Sequence, residues 1–385
     1  LFFDKLKPEV KWASPSSGVV TSIHFGARRI IEKIEISVED KKPESYKSFS
    51  SSELNAADRE AVMKNILDAC IFPLIRQRPF NKVANPNDVP RDIFVSAYNT
   101  APLSVNVSKV IQNNKDQFQA GLTALSKLTD GSVYLTSQKL MEFDNATNIT
   151  IEGPHPAGNV GIQIHHIKPI NPGEVIWTVN AQHVITIGKL FQNGQYDPGC
   201  VVSIGGSGSS NPQTVRALTG SSIGSLLKDQ LLNGSQRIIS GDVLTGKRVS
   251  SDDYLGFYDS SVAIINDDVK RPFLGMLAVG SSSTKYSLTN TFLSTGTKEF
   301  DFTTSQNGEL RAIVPLNAWE KMLPMDILPN PLYRAILAQD IEEMEQLGIW
   351  ECDDEDFALC SFACPSKIDV GSVIRDGLDL LESDS

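Results

Sequence analysis

Three of the five histidines of this chain lie in one short stretch, Glu152 to Lys168, which reads EGPHPAGNVGIQIHHIK. An imidazole changes its charge near neutral pH, so His155, His165 and His166 are candidates for acid–base chemistry or for zinc binding. The prolines and glycines of Gly153 to Gly158 exclude a regular helix or an inner strand, because proline removes a backbone donor and glycine frees the backbone. The stretch is therefore a shaped loop, and such loops often carry ligand contacts.

The residues after this loop, Gly161 to Ile167, alternate in a way that predicts a β-strand. On a strand, neighbours such as His165 and His166 point to opposite faces, and their two rings do not easily bind one metal ion. No HExxH or HxE signature supplies a partner. A zinc hydrolase on His155 and His165 is therefore a minor alternative.

Cys352, Cys360 and Cys364 form the second group that could do chemistry, with the spacing Cx7Cx3CP. An iron–sulfur cubane needs four thiolates, and a closed zinc site would need a fourth ligand from elsewhere in the chain. We favour free or buried thiols in a helical tail, with a metal site on these three residues as the alternative. Five cysteines in 385 residues are too few and too odd in number for a disulfide scaffold, which points to a reducing compartment.

The elements that would position the histidine loop have the order of a βαβ unit. Asp92 to Ala97 reads as a buried strand, Gln117 to Thr129 as an amphipathic helix, and Val133 to Thr136 as the next strand. Residues 46–199 are therefore predicted to be a Rossmann-like α/β domain. The glycine-rich run Gly206 to Asn211 lacks the third glycine of a dinucleotide fingerprint, so this domain is not expected to hold a nucleotide in the usual way.

The remaining segments complete a mixed, multidomain α/β fold. Strand-like runs predict a partial barrel-sandwich hybrid segment over residues 1–45, and residues 200–270 read as a β-grasp module with a helix from Ser221 to Leu232. Residues 271–315 are predicted to be a connecting β segment, for which a return to the barrel-sandwich domain is one option. Residues 316–385 are predicted to be helical, with one helix from Asn330 to Leu347 that Gly348 ends.

Composition bounds the function class. The net charge of −11 argues against nucleic acid as a partner and against adhesion to anionic lipid by charge. No apolar run approaches the roughly 18 residues that a membrane span needs, and no signal-peptide pattern opens the chain. We expect a soluble or peripheral protein. The first residue is Leu1, which suggests a fragment or a processed product.

The motif GPHPAG at Gly153 to Gly158, with the histidine-bearing segment after it, resembles the signature of the A subunit of the bacterial Na+-translocating NADH:quinone reductase. The similarity extends over nearly the whole chain, although the family's chain begins some tens of residues earlier. The other segments that resemble this family are WASPSSG at Trp12 to Gly18, DIFVSAYNTAP at Asp92 to Pro102, RIISGDVLTG at Arg237 to Gly246, and Cys360 to Leu381.

This resemblance implies a Rossmann-like layer, a barrel-sandwich hybrid, a soluble-ligand-binding β-grasp (SLBB) module and a helical C-terminal domain. It implies a peripheral subunit, without a transmembrane segment, on the cytoplasmic face of the bacterial inner membrane. The complex couples NADH oxidation and quinone reduction to Na+ export, and the chain is expected to act at the quinone end, beside integral membrane subunits. An autonomous iron–sulfur carrier related to the C subunit of the Rnf electron-transport complex is the alternative.

The A subunit of this family carries no tightly bound redox centre, so the resemblance implies that the isolated chain has no catalytic activity. NAD, FAD, FMN, riboflavin and the 2Fe-2S cluster are expected only in other subunits. Ubiquinone or menaquinone is the expected ligand here. A quinone headgroup needs hydrogen-bond donors and an apolar slot, and our candidate contacts are His155, Gly153, Gly158 and His165.

Overall fold

The computed structural model describes residues 1–39, 42–267, 280, 283–288, 299–314 and 316–384. About half of the predicted connecting segment 271–315 lies outside these residues. The chain begins with two small antiparallel pairs, and the second pair confirms the strands predicted near the N-terminus. The strands are β1 (Phe2–Phe3) with β2 (Lys11–Trp12), and β3 (Gly18–Phe25) with β4 (Ile31–Val38).

The Rossmann-like module is built on a six-stranded sheet. Its helices are α1 (Ser51–Ala56), α2 (Arg59–Asp68), α3 (Val107–Gln112), α4 (Lys115–Ser126), α5 (Val160–Ile167) and α6 (Ala181–Asn193). Its strands are β5 (Ile75–Arg78), β6 (Lys82–Val83), β7 (Ile93–Ser96), β8 (Val133–Ser137), β9 (Thr147–Thr150) and β10 (Ile176–Asn180). The strand order is β6-β5-β10-β7-β8-β9.

The topology of this sheet has a switch point between β7 and β10. From β7 the chain moves outward to β8 and β9, and it then returns to β10 on the other side of β7, with all four strands parallel. The parallel β7–β8 pairing confirms the predicted βαβ unit. In open α/β sheets the crevice for a ligand lies outside the carboxyl ends of the strands at such a switch point.

Close packing of α4 against α6 holds one face of the sheet. A Cβ built on Gly188 of α6 would lie 1.7 Å from the carbonyl oxygen of Gln117, and one on Gly121 of α4 would lie 2.1 Å from the carbonyl oxygen of Val184. Glycine is therefore required at both positions for the two backbones to come this close. The buried aromatic rings of Phe118 and Trp177 belong to the core that surrounds this contact.

The predicted strand over Gly161 to Ile167 is wrong, because these residues form helix α5. The strands β9 and β10 run in the same direction without being neighbours, so a crossover must connect them, and a helix is the usual crossover. The helix buries Ile162, Gln163 and Ile164 in sequence. A short helix buried along so much of its surface gives no polar stripe, and its alternating isoleucines imitate a strand.

The β-grasp module has a five-stranded sheet of order β12-β11-β15-β13-β14. Its elements are β11 (Gly199–Gly205), β12 (Gln213–Leu218), α7 (Ile223–Leu226), β13 (Gln236–Ser240), β14 (Lys247–Val249) and β15 (Ser261–Asn266). The helix predicted from Ser221 to Leu232 is wrong in length. The helix ends at Leu226, and Leu231 instead forms a β-bridge with Ser209.

The C-terminal module is helical, with α8 (Pro329–Ala338), α9 (Ile341–Gln346), α10 (Ala358–Ala363) and α11 (Val370–Asp384). The single helix predicted from Asn330 to Leu347 is in fact two helices. Gln339 adopts a left-handed conformation, and the Asp340 side chain accepts a hydrogen bond from the Glu343 amide at 3.0 Å, which caps a new helix. In the described part of the chain, no helix has the length and apolar character to span a membrane.

Candidate functional site

The carboxyl ends of β7 and β10 open into a cavity of about 250 Å³. Each of the three larger modules contributes to its wall. The Rossmann-like module supplies Ser96, Tyr98, His155 and Asn180, the β-grasp module supplies Asp242, Thr245 and Tyr258, and the C-terminal module supplies Glu355. An outer recess of about 640 Å³ shares several of these residues. We call the inner cavity of about 250 Å³ the switch-point cavity, and the larger volume the outer recess.

The GPHPAG loop is fixed to the chain that leaves β7. The Tyr98 hydroxyl donates to the Gly153 carbonyl at 2.9 Å, and the Gly158 amide donates to the Thr100 hydroxyl at 2.9 Å. A Cβ on Gly158 would lie 2.5 Å from the Thr100 amide nitrogen, so a larger residue there would push the loop away. Gly153 has a φ of 154°, which side-chain-bearing residues rarely adopt. Both glycines that we named as candidate contacts therefore fix the backbone conformation of the loop.

Gln163 anchors the same loop from helix α5, and sequence reasoning missed it. Its side chain is 1% exposed, and its amide nitrogen donates to the Ser96 hydroxyl at 3.0 Å and to the Ala157 and Gly158 carbonyls at 3.3 and 3.1 Å. Its amide oxygen accepts from the Thr136 hydroxyl at 2.5 Å. A buried glutamine in a predicted apolar strand was the available signal, since buried amides need partners.

His155 is the predicted histidine that faces the switch-point cavity. Its Nδ1 lies 3.1 Å from the Thr100 hydroxyl oxygen, while its Nε2 is buried without a hydrogen-bond partner in the described part of the chain. The Thr100 oxygen already accepts from Gly158, so the hydroxyl hydrogen is free to donate to Nδ1. This favours the tautomer with its hydrogen on Nε2. Burial lowers the pKa of His155, against a smaller opposing effect of Asp242, and favours the neutral ring.

His165 and His166 lie elsewhere and hold α5 to the C-terminal module. His165 accepts from the Asp326 amide at Nε2, at 3.0 Å, and its Nδ1 donates to the Glu351 carboxylate at 2.8 Å. His166 Nε2 donates to the Pro324 carbonyl at 2.8 Å. Both nitrogens of His165 are therefore used, and this ring is not part of the cavity wall.

Comparison with known proteins adds what the geometry alone does not give. Three family models match: the "NqrA N-terminal barrel-sandwich hybrid domain" over residues 1–39, the "NqrA second alpha/beta domain" over 57–196, and the "NQRA C-terminal domain" of the SLBB type over 201–251. The A subunit of the Na(+)-translocating NADH-quinone reductase of Saccharophagus degradans is 39% identical over 392 residues, which cover 100% of this chain and 87% of the relative. This chain belongs to the NqrA family, the A subunits of Na+-translocating NADH-quinone reductases.

Further relatives agree with this assignment, and the resemblance seen in the sequence is confirmed. The A subunits of Pasteurella multocida and of a Marinomonas species are each 37% identical to this chain, with 100% of it and 87% of the relative covered. A solved structure of an NAD+-reducing [NiFe]-hydrogenase covers 60% of this chain and 52% of its own, at a TM-score of 0.40 and 13% identity. That similarity is too low to carry an argument about fold or function.

The three C-terminal cysteines of this NqrA-family chain are buried in the hydrophobic core of the C-terminal module. The thiols of Cys352 and Cys360 donate to the carbonyls of Gly348 and Trp319, each at 3.6 Å. Burial raises the pKa of Cys360 to about 12 and raises that of Cys352 well above its ordinary value. Metal binding needs thiolates, which this environment opposes. In the described ranges, no three His, Cys, Asp or Glu side chains are grouped to hold a metal ion.

The outer recess carries an excess of negative charge. Three basic residues face six acidic ones across it. The basic residues are Arg76, Lys82 and Arg375, and the acidic residues are Asp242, Asp259, Asp354, Glu355, Asp379 and Glu382. A phosphate-bearing ligand would be repelled on the way in, whereas an uncharged ligand would not.

Proposed function

We propose that this chain acts at the quinone end of a sodium-pumping NADH-quinone reductase, where it binds a quinone headgroup in the switch-point cavity. The observation that carries the proposal is the buried, unpartnered Nε2 of His155, a residue that lines this cavity. A buried donor without an acceptor costs free energy, and a ligand carbonyl would supply the acceptor. His155 is the hydrogen-bonding contact, while Gly153 and Gly158 set its position.

The rest of the cavity wall suits a quinone ring. The Asn180 side chain lies at the carboxyl end of β10, and its amide oxygen accepts from the Gln182 amide at 2.9 Å, which leaves the amide nitrogen as a second donor for the ligand. Apolar side chains supply the slot that the ring needs. They are Leu74, Ala101, Val107, Val160 and Val179.

A nucleotide fits this cavity less well than a quinone does. The glycine-rich phosphate loop is absent from the turn after β7, where Tyr98 to Ala101 stand instead. The acidic outer recess also opposes a phosphate group. An uncharged quinone meets neither obstacle, which supports it over FMN or NAD as the ligand.

Family membership supports the wider setting of this proposal. The chain would be a peripheral component of the complex, on the cytoplasmic face of the bacterial inner membrane, and would contact the membrane subunits. The complex would couple NADH oxidation to quinone reduction and Na+ export. NAD, FAD, FMN, riboflavin and the 2Fe-2S cluster would reside in other subunits, and ubiquinone or menaquinone would be the ligand here.

Replacing His155 by alanine in the assembled complex tests the proposal. We expect the KM for a short-chain ubiquinone to rise about five- to tenfold, because one hydrogen bond contributes about 1 kcal/mol. NADH oxidation by a soluble artificial acceptor should stay unchanged. His166→Ala, an exposed histidine outside the cavity, is the matched control and should leave the quinone KM unchanged. An unaltered quinone KM in the His155→Ala complex would remove the proposal.

A further inference from the structure

A buried ionic cluster joins the Rossmann-like module to the C-terminal module. Arg78, at the end of β5, is 1% exposed. Its Nη2 lies 2.9 Å from Asp353 Oδ2 and 2.8 Å from Glu355 Oε1, and its Nη1 lies 3.7 Å from Asp356 Oδ2. Arg78 and Glu355 are 277 residues apart in the chain, so tertiary folding alone brings this cluster together.

Negative charge exceeds positive charge inside the cluster. The side chains of Asp353 and Asp356 are both fully buried, and Arg78 is the guanidinium buried with them. Arg375 of α11 contacts Asp353 as well, but its side chain is 28% exposed and it also pairs with Asp354 at 2.5 Å. Two carboxylates thus share one fully buried cation, an arrangement in which both cannot ionise without a large cost.

The hydrogen bonds around the two aspartates are unequal. Asp353 accepts hydrogen bonds from the side-chain amide of Asn81 and from the guanidinium groups of Arg78 and Arg375. Asp356 accepts from the Asn159 amide at Oδ1, at 3.2 Å, while its Oδ2 is buried without a hydrogen-bond partner in the described part of the chain. The donor recorded beside this oxygen, Arg78 Nη1, lies 3.7 Å away, beyond hydrogen-bond distance, so the oxygen fits a protonated carboxyl group better than a carboxylate.

The space around Asp356 is also closed. A Cβ built on Gly161 of α5 would lie 2.1 Å from Asp356 Oδ2, so the carboxyl group packs directly on the first turn of that helix. The remaining ionisable groups that face the pair come from its own segment. They are Asp354 and Glu355, together with the buried thiol of Cys352.

We call the ionic cluster of Arg78, Asp353 and Asp356 the joint between the two modules. We propose that this joint binds one proton near neutral pH, shared by Asp353 and Asp356, and that release of the proton loosens the C-terminal module from the Rossmann-like module. Burial raises the pKa of Asp353 to about 7 and that of Asp356 well above its ordinary value, with Arg78 opposing both shifts. The folded joint therefore holds a proton that the unfolded chain releases near pH 4. The stability that this proton contributes is fully present below that pH, falls as the pH rises from there, and is lost once the pH has passed through the folded-state pKa.

The joint adjoins the switch-point cavity but does not depend on its ligand. Asn159, which donates to Asp356 and to the Glu355 carbonyl, directly follows the GPHPAG loop and occupies the N-cap position of α5 without a side-chain capping hydrogen bond. Loosening of the joint would free the far end of the loop that carries His155. The proton site itself stands on the ionic cluster, whether or not a quinone binds.

Native-state hydrogen exchange on the full chain, from pH 5 to pH 9, tests the proposal. After correction for intrinsic rates, the opening constant of the α10 amides (Ala358–Ala363) should rise by up to tenfold per pH unit as the pH approaches the folded-state pKa and level off above it, while amides of α4 serve as the reference. In Asp356→Asn, which mimics the uncharged acid, this rise should be lost. The same substitution at Asp376, an exposed residue of α11, should leave it in place.

A second measurement covers the case in which Asp356→Asn does not fold. Carboxyl carbons of labelled aspartate in the unaltered chain, followed by 13C NMR, should show at least one aspartate that is still protonated at pH 6. If every aspartate is ionised at pH 6, or if the α10 opening constant rises equally with and without Asp356, the proposal is wrong.

Discussion

Replacing Gln163 by methionine should uncouple the GPHPAG loop from helix α5 while filling nearly the same volume. The substitution removes the three donations from the Gln163 amide nitrogen and the one acceptance at its oxygen. The partners are not equally affected. Thr136 can then donate to the Val95 carbonyl at 3.3 Å, and the Ser96 hydroxyl, which also lies 3.0 Å from the Tyr98 carbonyl, can turn to the Gly158 carbonyl at 3.3 Å.

The Ala157 carbonyl decides the magnitude, because its described side-chain partner is Gln163 alone. An orphaned buried carbonyl costs about 1–3 kcal/mol, and the other lost bonds add about 1 kcal/mol. We therefore expect the free energy of unfolding to fall by about 3 kcal/mol, measured by urea unfolding followed by circular dichroism.

Gln119→Met on α4 is the matched control for this experiment. Gln119 bonds with the Asp144 backbone near the surface, at 2.9 Å in both directions, where water can replace the lost partner. The control should cost less than about 1 kcal/mol. If Gln163→Met costs no more than Gln119→Met, the loop does not depend on the glutamine, and our account of how His155 is positioned fails.

Three further predictions concern packing, capping and pH. Gly188→Ala should cost about 3 kcal/mol or more in the same unfolding assay, since its Cβ would lie 1.7 Å from the Gln117 carbonyl oxygen; a near-neutral result would contradict the α4–α6 packing. Asp340→Ala should cost about 1 kcal/mol by loss of the cap on the Glu343 amide, and Asp340→Asn should restore most of it. Burial lowers the pKa of His183 to about 4, so stability should decline by about 3 kcal/mol as the pH falls from 6.5 to 4, and His183→Gln should flatten that decline.

Much of the Rossmann-like module could be predicted from local patterns. The strands at Ile93–Ser96 and Val133–Ser137 and the helix between them appear where the hydrophobic periodicity places them. The periodicity failed where a segment is buried on several sides or where capping competes with it. The alternating residues of Val160–Ile167 predict a strand, although they form a helix with four consecutive buried residues, and Asp340 starts a new helix inside an unbroken apolar pattern.

The residues of the candidate site also fall into those that the sequence identifies and those that only the structure reveals. The sequence singled out Gly153, His155 and Gly158, because proline, glycine and histidine carry their conformational and chemical character with them. It could not separate His155 from His165, since that distinction depends on which ring nitrogens find partners from distant segments. Gln163 and Thr100 carry no motif, so their part in holding the loop is visible only through their contacts.

The sequence by itself determined the shaped loop at Gly153 to Gly158, the parallel βαβ core and the resemblance to the NqrA family, because backbone restriction and hydrophobic periodicity act over a few neighbouring residues. Only the tertiary structure decided that the loop faces a switch-point cavity and that Arg78 meets Asp353 and Asp356. Sheet order and the joining of modules set these contacts. Both arise from burial of apolar surface between segments far apart in the chain, which no local pattern encodes.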